Sequence, residues 1–177
     1  MYAYINSVLA SYCDLMNFTV RPLKPFEVDD VVRLWRRLAE DPSASGATLI
    51  VDDENTGRFK EFLKGLSRDD ENQVLVSEID GKIVGFIMFA KQARSMLRLR
   101  HSHAMITDLY VDEEHRRHGI AYMMVKGCLD YLRSRNIEHV RVNVVANNTP
   151  ARELYKKLGF TDDMITMNKP LELKDRA

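Results

Sequence analysis

A run of basic and small residues in the second half of the chain has the composition of an anion-binding loop. It reads Arg116-Arg117-His118-Gly119-Ile120-Ala121, and it lies between strand-forming residues and a stretch with helical periodicity. At a helix N-terminus, unpaired backbone N–H groups and the positive end of the helix dipole point at one spot. Glycine at position 119 lets the backbone approach a ligand closely. The sequence therefore predicts that this loop binds a phosphate-bearing ligand.

Two elements must position this loop. The segment 104–111 is rich in Ile, Thr, Leu, Tyr and Val, which are typical of a partly buried β-strand. The segment after Gly119 carries apolar residues at every fourth position, as one face of a helix requires. Those residues are Ile120, Met124, Cys128 and Leu132. The predicted order at the loop is thus strand, loop, helix.

The rest of the chain continues this alternation of strands and helices. Asp80-Gly81 is a strong hairpin signal between two of the strands, and Thr149-Pro150 is typical of a helix start, with Thr149 as its N-cap. The predicted elements outside the loop region are strands at 18–23, 73–79, 82–90, 140–144 and 160–167, with helices at 28–39, about 53–66 and 150–158. The order β α α β β β α β α β predicts one α+β domain around a mixed sheet.

Length and composition place the chain among ordinary globular domains. It has 177 residues, of which 45% are hydrophobic and 29% charged. We expect an N-terminal extension at residues 1–16, with Met16 as an alternative start, and one folded domain over 17–177. Apolar residues of the extension are interrupted by polar ones and no basic start precedes them, which argues against a signal peptide.

Charge and cysteine usage narrow the class of protein. The 26 basic and 26 acidic side chains cancel, which argues against a dedicated nucleic-acid binder. Cys13 and Cys128 lie far apart without metal-ligand spacing, which indicates a reducing, cytoplasmic location. No apolar run approaches the length of about 20 residues that spans a bilayer. We therefore expect a protein with no metal, no nucleic acid and no membrane partner.

Two motifs together resemble the GNAT superfamily of acetyl-coenzyme A-dependent N-acetyltransferases. Arg116-x-x-Gly119-x-Ala121 is similar to the pyrophosphate loop of that family, between a strand and a helix as the family has it. The second motif, from Asn148 to Phe160, is similar to the family's other cofactor-side signature. The resemblance covers roughly residues 18 to 168. It implies a mixed, mostly antiparallel central sheet that splays at the cofactor site, with helices on both faces.

The resemblance also implies which residues contact acetyl-coenzyme A. Backbone N–H groups of the loop would hold the diphosphate, and the strand before it would pair with the pantetheine arm as an added strand. For Asn148 a local cap on the last helix is an equally good interpretation. The residues implied in cofactor binding are Leu109, Tyr110, Val111, Arg116, Arg117, His118, Gly119, Ile120, Ala121, Asn148 and Tyr155.

For the chemistry, the resemblance implies that Leu109 N–H faces the thioester oxygen. It also implies that Tyr155 donates a proton to the sulfur of the departing coenzyme A. An ordinary tyrosine, with a pKa near 10, is a weak acid toward a thiol near 8.5. Candidates for the base lie on the strand before the loop. Asp108 is the carboxylate within that strand, with a side chain expected to face opposite to Leu109, and His103 has an ordinary pKa near neutrality. For either residue taken singly, a side chain that is merely solvated or bonded to a neighbouring strand is the favoured interpretation. A specific base is also not strictly required, since a small fraction of free amine exists at neutral pH.

The acceptor stays open at this level. Acidic residues around 40–54 favour a cationic amine as the acceptor. The basic segment 91–103 equally favours an acidic or phosphorylated acceptor. The implied activity is acetyl transfer to a primary amine of a small molecule or of a peptide or protein. A non-catalytic domain of the same fold that binds acyl-coenzyme A is the alternative. Free sheet edges also permit a homodimer.

Overall fold

The computed structural model describes residues 18–41, 50–66, 72–91 and 102–169. The predicted extension at 1–16, the start at Met16 and the middle of the basic segment at 92–101 lie outside these ranges. The elements, in chain order, are β1 (Thr19–Pro22), α1 (Val28–Glu40), α2 (Asp53–Leu66), β2 (Asn72–Ile79), β3 (Lys82–Lys91), β4 (His103–Val111), α3 (Ile120–Ser134), β5 (His139–Val142) and α4 (Thr149–Lys157).

The five strands form one sheet in chain order, β1 to β5. The first four pair antiparallel, and β4 pairs parallel with β5, which confirms the mixed, mostly antiparallel sheet. Asp80 and Gly81 join β2 to β3 with φ of 48° and 77°. Positive φ at both central residues is the conformation that a tight hairpin turn needs.

Helices cover both faces of the sheet, as predicted. Successive residues of a strand point to opposite faces, so Val76 packs beneath α1 and α2 while Leu75 packs beneath α3. Phe86 and Ile87 of β3 divide between the two faces in the same way. Across the described ranges, no helix has both the length and the apolarity to cross a membrane.

The predicted closing strand at residues 160–167 is wrong. Gly159 has φ of 87° and ends α4, and Phe160 N–H returns to the carbonyl oxygen of Tyr155 at 3.0 Å. The segment beyond has no strand pairing, and its apolar side chains Met164 and Ile165 are exposed. A run of apolar residues alone does not form a strand, because a strand also needs a neighbour for its backbone hydrogen bonds.

Candidate active site

The sheet opens between β4 and β5. Pairing begins at His103 with His139 and ends at Ile106 with Val142. From Thr107 to Val111, β4 keeps its partner β3 on one side and has no strand on the other within the described ranges. This opening produces a cleft along the second half of β4.

A β-bulge lies where the cleft begins. The register passes from Ile106 opposite Phe89 to Asp108 opposite Met88, so Thr107 is the extra residue. A bulge of this kind reverses which residues face each side of a sheet, and bulges are common beside active sites. Beyond it, every side chain points to the face opposite to the one that uninterrupted alternation would give.

The backbone of β4 presents free hydrogen-bonding groups to the cleft. Asp112 N–H donates to Val84 O at 2.8 Å, and the carbonyl oxygen of Tyr110 lies against Gly85, so even-numbered residues direct their polar groups at β3. Because backbone groups alternate along a strand, Leu109 N–H and C=O and Val111 N–H point away from β3. They therefore face the cleft.

Asp108 lies in the second half of β4, and its carboxyl group is shielded from solvent. Its register partner Met88 belongs to the core beneath α1 and α2, whereas Leu109, opposite Ile87, packs against the core beneath α3. The two side chains thus face opposite ways, as predicted. Burial raises the pKa of Asp108, and a hydrogen bond with Thr107 opposes that rise. A raised carboxyl pKa moves toward the range in which a general base operates at neutral pH.

The loop between β4 and α3 has the backbone shape of an anion-binding nest. Arg117 and Gly119 have φ of 70° and 80°, the left-handed region, on either side of His118. Gly119 is the N-cap of α3 and provides no side-chain hydrogen bond to it. The first N–H groups of α3 therefore lack a side-chain cap, and a concave run of N–H groups fits an anionic ligand.

The three basic side chains of the loop do not act alike. Arg116 turns back toward the strand, where Nε donates to the carbonyl oxygen of Val111 at 2.9 Å and the guanidinium lies 5.3 Å from the Tyr110 ring centroid. Arg116 thereby fastens the loop to the end of β4. Arg117 and His118 are exposed.

Tyr155 lies buried on the inner side of α4, with its ring edge-on to Phe160 at 5.3 Å. Burial raises its pKa well above the ordinary value, and the proximity of Cys128 and Asp108 adds to the rise. Asp108 thus influences Tyr155 electrostatically although 47 positions separate them in sequence. At neutral pH the phenol is neutral and can donate a hydrogen bond.

Two further residues that were predicted to belong to the site are Asn148, which caps a helix, and His103, which lies at the other end of β4. Asn148, and not Thr149 as predicted, is the N-cap of α4, and its Oδ1 accepts from Ala151 N–H at 3.1 Å. His103 stacks on His139 at 5.3 Å between centroids. It is five residues from Asp108, roughly 16 Å at about 3.3 Å per residue. The structure therefore places Asp108 along the opening, where it influences Tyr155 electrostatically, and leaves His103 at the end of β4 that pairs with β5.

One residue that the motifs did not indicate also shapes the site. Gly85 of β3 lies opposite Val111, and a Cβ atom there would be 2.8 Å from the carbonyl oxygen of Tyr110. β3 and β4 therefore approach more closely than a side chain at this position allows. A glycine inside an apolar strand is the sequence signal for such an approach.

The fold and the site together define a class of α+β protein in which an open strand edge and a helix N-terminus share one cleft. More specifically, the chain belongs to the acetyltransferase (GNAT) family, whose sequence profile matches residues 31–160. Over the described residues, no group of three or more His, Cys, Asp and Glu side chains is placed to hold a metal ion.

Relatives with assigned names are N-acetyltransferases and related enzymes. The chain is 32% identical over 157 residues to an uncharacterised N-acetyltransferase of Methanocaldococcus jannaschii, covering 89% of this chain and 66% of that one. It is 33% identical over 113 residues to an N-alpha-acetyltransferase of Sulfurisphaera tokodaii, covering 59% and 63%. The chain thus spans less than two thirds of the length of these relatives.

Solved structures agree with the fold. A mutant protein from Bacillus halodurans superposes with a TM-score of 0.71 at 22% identity, covering 86% of this chain and 99% of the other. A ribosomal-protein-alanine N-acetyltransferase from Brucella melitensis gives a TM-score of 0.65 at 18% identity, covering 87% and 99%. At these identities the likeness establishes the fold and nothing about the acceptor.

Proposed function

We propose that this protein transfers an acetyl group from acetyl-coenzyme A directly to a primary amine of a small molecule or of a peptide or protein. The observation that carries the proposal is the shared cleft. The free backbone edge of Leu109 and Val111 opens beside the loop at Gly119 and beside two shielded titratable side chains, Asp108 and Tyr155. Each of these parts can serve a direct transfer.

The chain has the groups that the cofactor requires. Backbone N–H groups from Arg117 to Ala121 would bind the diphosphate, with the Arg117 guanidinium adding charge. The free N–H and C=O of Leu109 and the N–H of Val111 would pair with the extended arm as an added strand. Since Arg116 occupies the carbonyl oxygen of Val111, pairing on that residue is limited to its N–H. Acetyl-coenzyme A supplies the acetyl group as a thioester.

Three groups of the chain then serve the transfer. Leu109 N–H would donate to the thioester oxygen, and the loss of one such donor costs about 10²–10³ in rate. Asp108 would accept a proton from the incoming amine, directly or through water, and its raised pKa suits that role. Tyr155 would donate a hydrogen bond to the departing sulfur. Its own raised pKa argues that it stabilises the sulfur without full ionisation.

The acceptor is proposed only as a primary amine. Relatives include an N-alpha-acetyltransferase of Sulfurisphaera tokodaii and an L-amino acid N-acetyltransferase of Escherichia coli. These two names support retaining both peptide amines and small-molecule amines as proposed acceptors. Position favours Asp108 over His103 as the base, because Asp108 lies along the opening of the sheet whereas His103 lies where β4 is still paired with β5.

A thiol-release assay tests the proposal. The protein is mixed with acetyl-coenzyme A and a panel of amino acids, polyamines, aminoglycosides and N-terminal peptides, and free thiol is measured against time. Amine-dependent release is the expected result. Coenzyme A binding without turnover on any acceptor would favour the non-catalytic acyl-coenzyme A-binding alternative.

Gly119→Glu tests the loop assignment separately. A carboxylate and a strained left-handed backbone at this position should abolish coenzyme A binding in calorimetry, with the circular dichroism spectrum retained. The matched control is Gly57→Glu, at an exposed helical glycine with no atom within 4 Å of an added Cβ. Unchanged affinity in Gly119→Glu would remove the loop from the site.

A further inference from the structure

An ion pair that the proposed chemistry does not use ties the start of the diphosphate loop to helix α1. The Oδ1 atom of Asp112 receives Arg37 Nη1 at 2.5 Å, and Oδ2 receives Arg33 Nη1 at 3.4 Å. The Asp112 backbone is also fixed, because its N–H donates to Val84 O at 2.8 Å and its carbonyl oxygen accepts from His115 N–H at 2.9 Å. Asp112 therefore joins β3, α1 and the loop.

A second set of contacts runs parallel to this ion pair. The Arg116 guanidinium lies over the Tyr110 ring, and Arg116 Nε holds the carbonyl oxygen of Val111. Tyr110 is buried in the core beneath α1. Helix α1 thus packs on the last part of β4, and its Arg37 pairs with the first residue after that strand. Helix α1 is in contact with the segment that sets where the loop begins.

The exposed fractions of the Asp112 and Arg37 side chains indicate which substitution removes more of the ion pair. The Asp112 side chain is 15% exposed and the Arg37 side chain 53%. The carboxylate is the shielded partner and accepts from two guanidinium groups, so its removal leaves both without this acceptor. A truncation of Arg37 leaves Arg33 in place on Asp112.

We infer that Asp112 is a positioning residue for coenzyme A binding, which holds the start of the diphosphate loop against Arg37 and Arg33 of α1. This inference rests on the proposed function of the same loop. Asp112 does not touch the ligand in this account. It acts through the position of the loop backbone, whose N–H groups bind the phosphates.

Calorimetric titration of coenzyme A into Asp112→Asn tests the inference. We expect the dissociation constant to rise by about three- to fivefold, the range that one partly exposed ion pair supports. Asp112→Glu, which keeps the charge, should recover part of the loss. Arg37→Gln should weaken binding in the same direction, and the double variant Arg37→Gln/Asp112→Asn should lose less than the two single losses combined.

Asp29→Asn is the matched control on the same helix. Asp29 also forms an ion pair at 2.5 Å, with Lys60 of α2, and the pair lies away from the loop. This variant should bind coenzyme A as the wild type does. A dissociation constant of Asp112→Asn equal to that of the wild type overturns the inference. Equal losses in Asp29→Asn and Asp112→Asn overturn it too, because a general loss of stability would then explain both.

Trp35 gives a readout that a purely structural role would not move. It is the single tryptophan of the chain, lies on α1 two residues before Arg37, and stacks on Phe59 at 4.3 Å. Excited at 295 nm, its emission should change when coenzyme A binds the wild type, and the change should be smaller in saturated Asp112→Asn. An identical change in both proteins contradicts the inference. Wild-type binding without acetyl transfer refutes only the catalytic proposal, whereas absence of wild-type binding refutes both.

Discussion

Gly85→Ala is the most direct test of whether the spacing of β3 and β4 sets the geometry of the cleft. The added Cβ would lie 2.8 Å from the carbonyl oxygen of Tyr110, 2.7 Å from Ser77 Oγ and 3.2 Å from a methyl group of Val111. Ser77 Oγ is the end of a small side chain, but the Tyr110 oxygen belongs to the backbone of β4. β4 must therefore move where Leu109 N–H faces the cleft.

The size of the effect follows from these distances. Ordinary contact begins near 3.4 Å, so the Tyr110 carbonyl must retreat by about 0.6 Å. Overpacking of a buried site costs about 1–3 kcal/mol in the free energy of unfolding. Since a misplacement of about 1 Å can lower the rate about 10²-fold, we expect kcat to fall by roughly ten- to a hundredfold.

The assay combines denaturant unfolding with acetyl-transfer kinetics at a temperature where the variant is fully folded. Gly57→Ala in α2 is the control, because no atom lies within 4 Å of its added Cβ. A helical Gly→Ala change there should stabilise the protein by about 0.5–1 kcal/mol and leave kcat unchanged. Wild-type stability and kcat in Gly85→Ala would refute the argument that close approach at this glycine sets the cleft.

Three further substitutions test individual site residues. Tyr155→Phe should lower kcat by about 10- to 100-fold and leave the coenzyme A dissociation constant unchanged, and wild-type kinetics would remove the hydroxyl from the mechanism. Burial raises the pKa of Asp108, so its contribution to stability is lost as pH rises from the unfolded-state pKa near 4 through the folded-state pKa. Asp108→Asn should therefore unfold at a higher temperature than the wild type at pH 7, match it below pH 4 and lose activity; lower stability at pH 7 would contradict the assigned burial. Asn148→Ala should cost about 1 kcal/mol in unfolding free energy, with Asn148→Ser near wild type, because the bond to Ala151 N–H is a helix cap. Weaker coenzyme A binding at unchanged stability would instead assign Asn148 to the cofactor.

Local features of the fold were predictable because they depend on neighbouring residues. The hairpin at Asp80-Gly81 and the glycine at 119 each require positive φ, a demand that the residue types satisfy within one turn. The amphipathic helix α1 was likewise evident from its apolar spacing. The loop assignment thus came from a strand, a glycine and a helix that are adjacent in the chain.

Contacts between distant segments were not predictable in this way. The error at the start of α4 was local: the N-cap is Asn148 and the prediction was Thr149, a difference of one residue that is within the usual uncertainty of helix boundaries. The closing strand predicted for 160–167 failed because its hydrophobic pattern does not specify a pairing partner. The turn of Arg116 back onto Val111 depends on where β4 ends against β3.

Backbone preference and periodicity are local properties, so the strand, the left-handed glycine and the helix around Gly119 could be predicted from residues that are adjacent in the chain. The way these parts form a site depends instead on long-range packing. The bulge at Thr107 and the end of β4–β5 pairing at Ile106 expose the backbone of Leu109. The burial that raises the pKa of Asp108 and Tyr155 arises from packing between segments far apart in sequence. Register and burial are sums over such distant contacts, so no short pattern of residues specifies them.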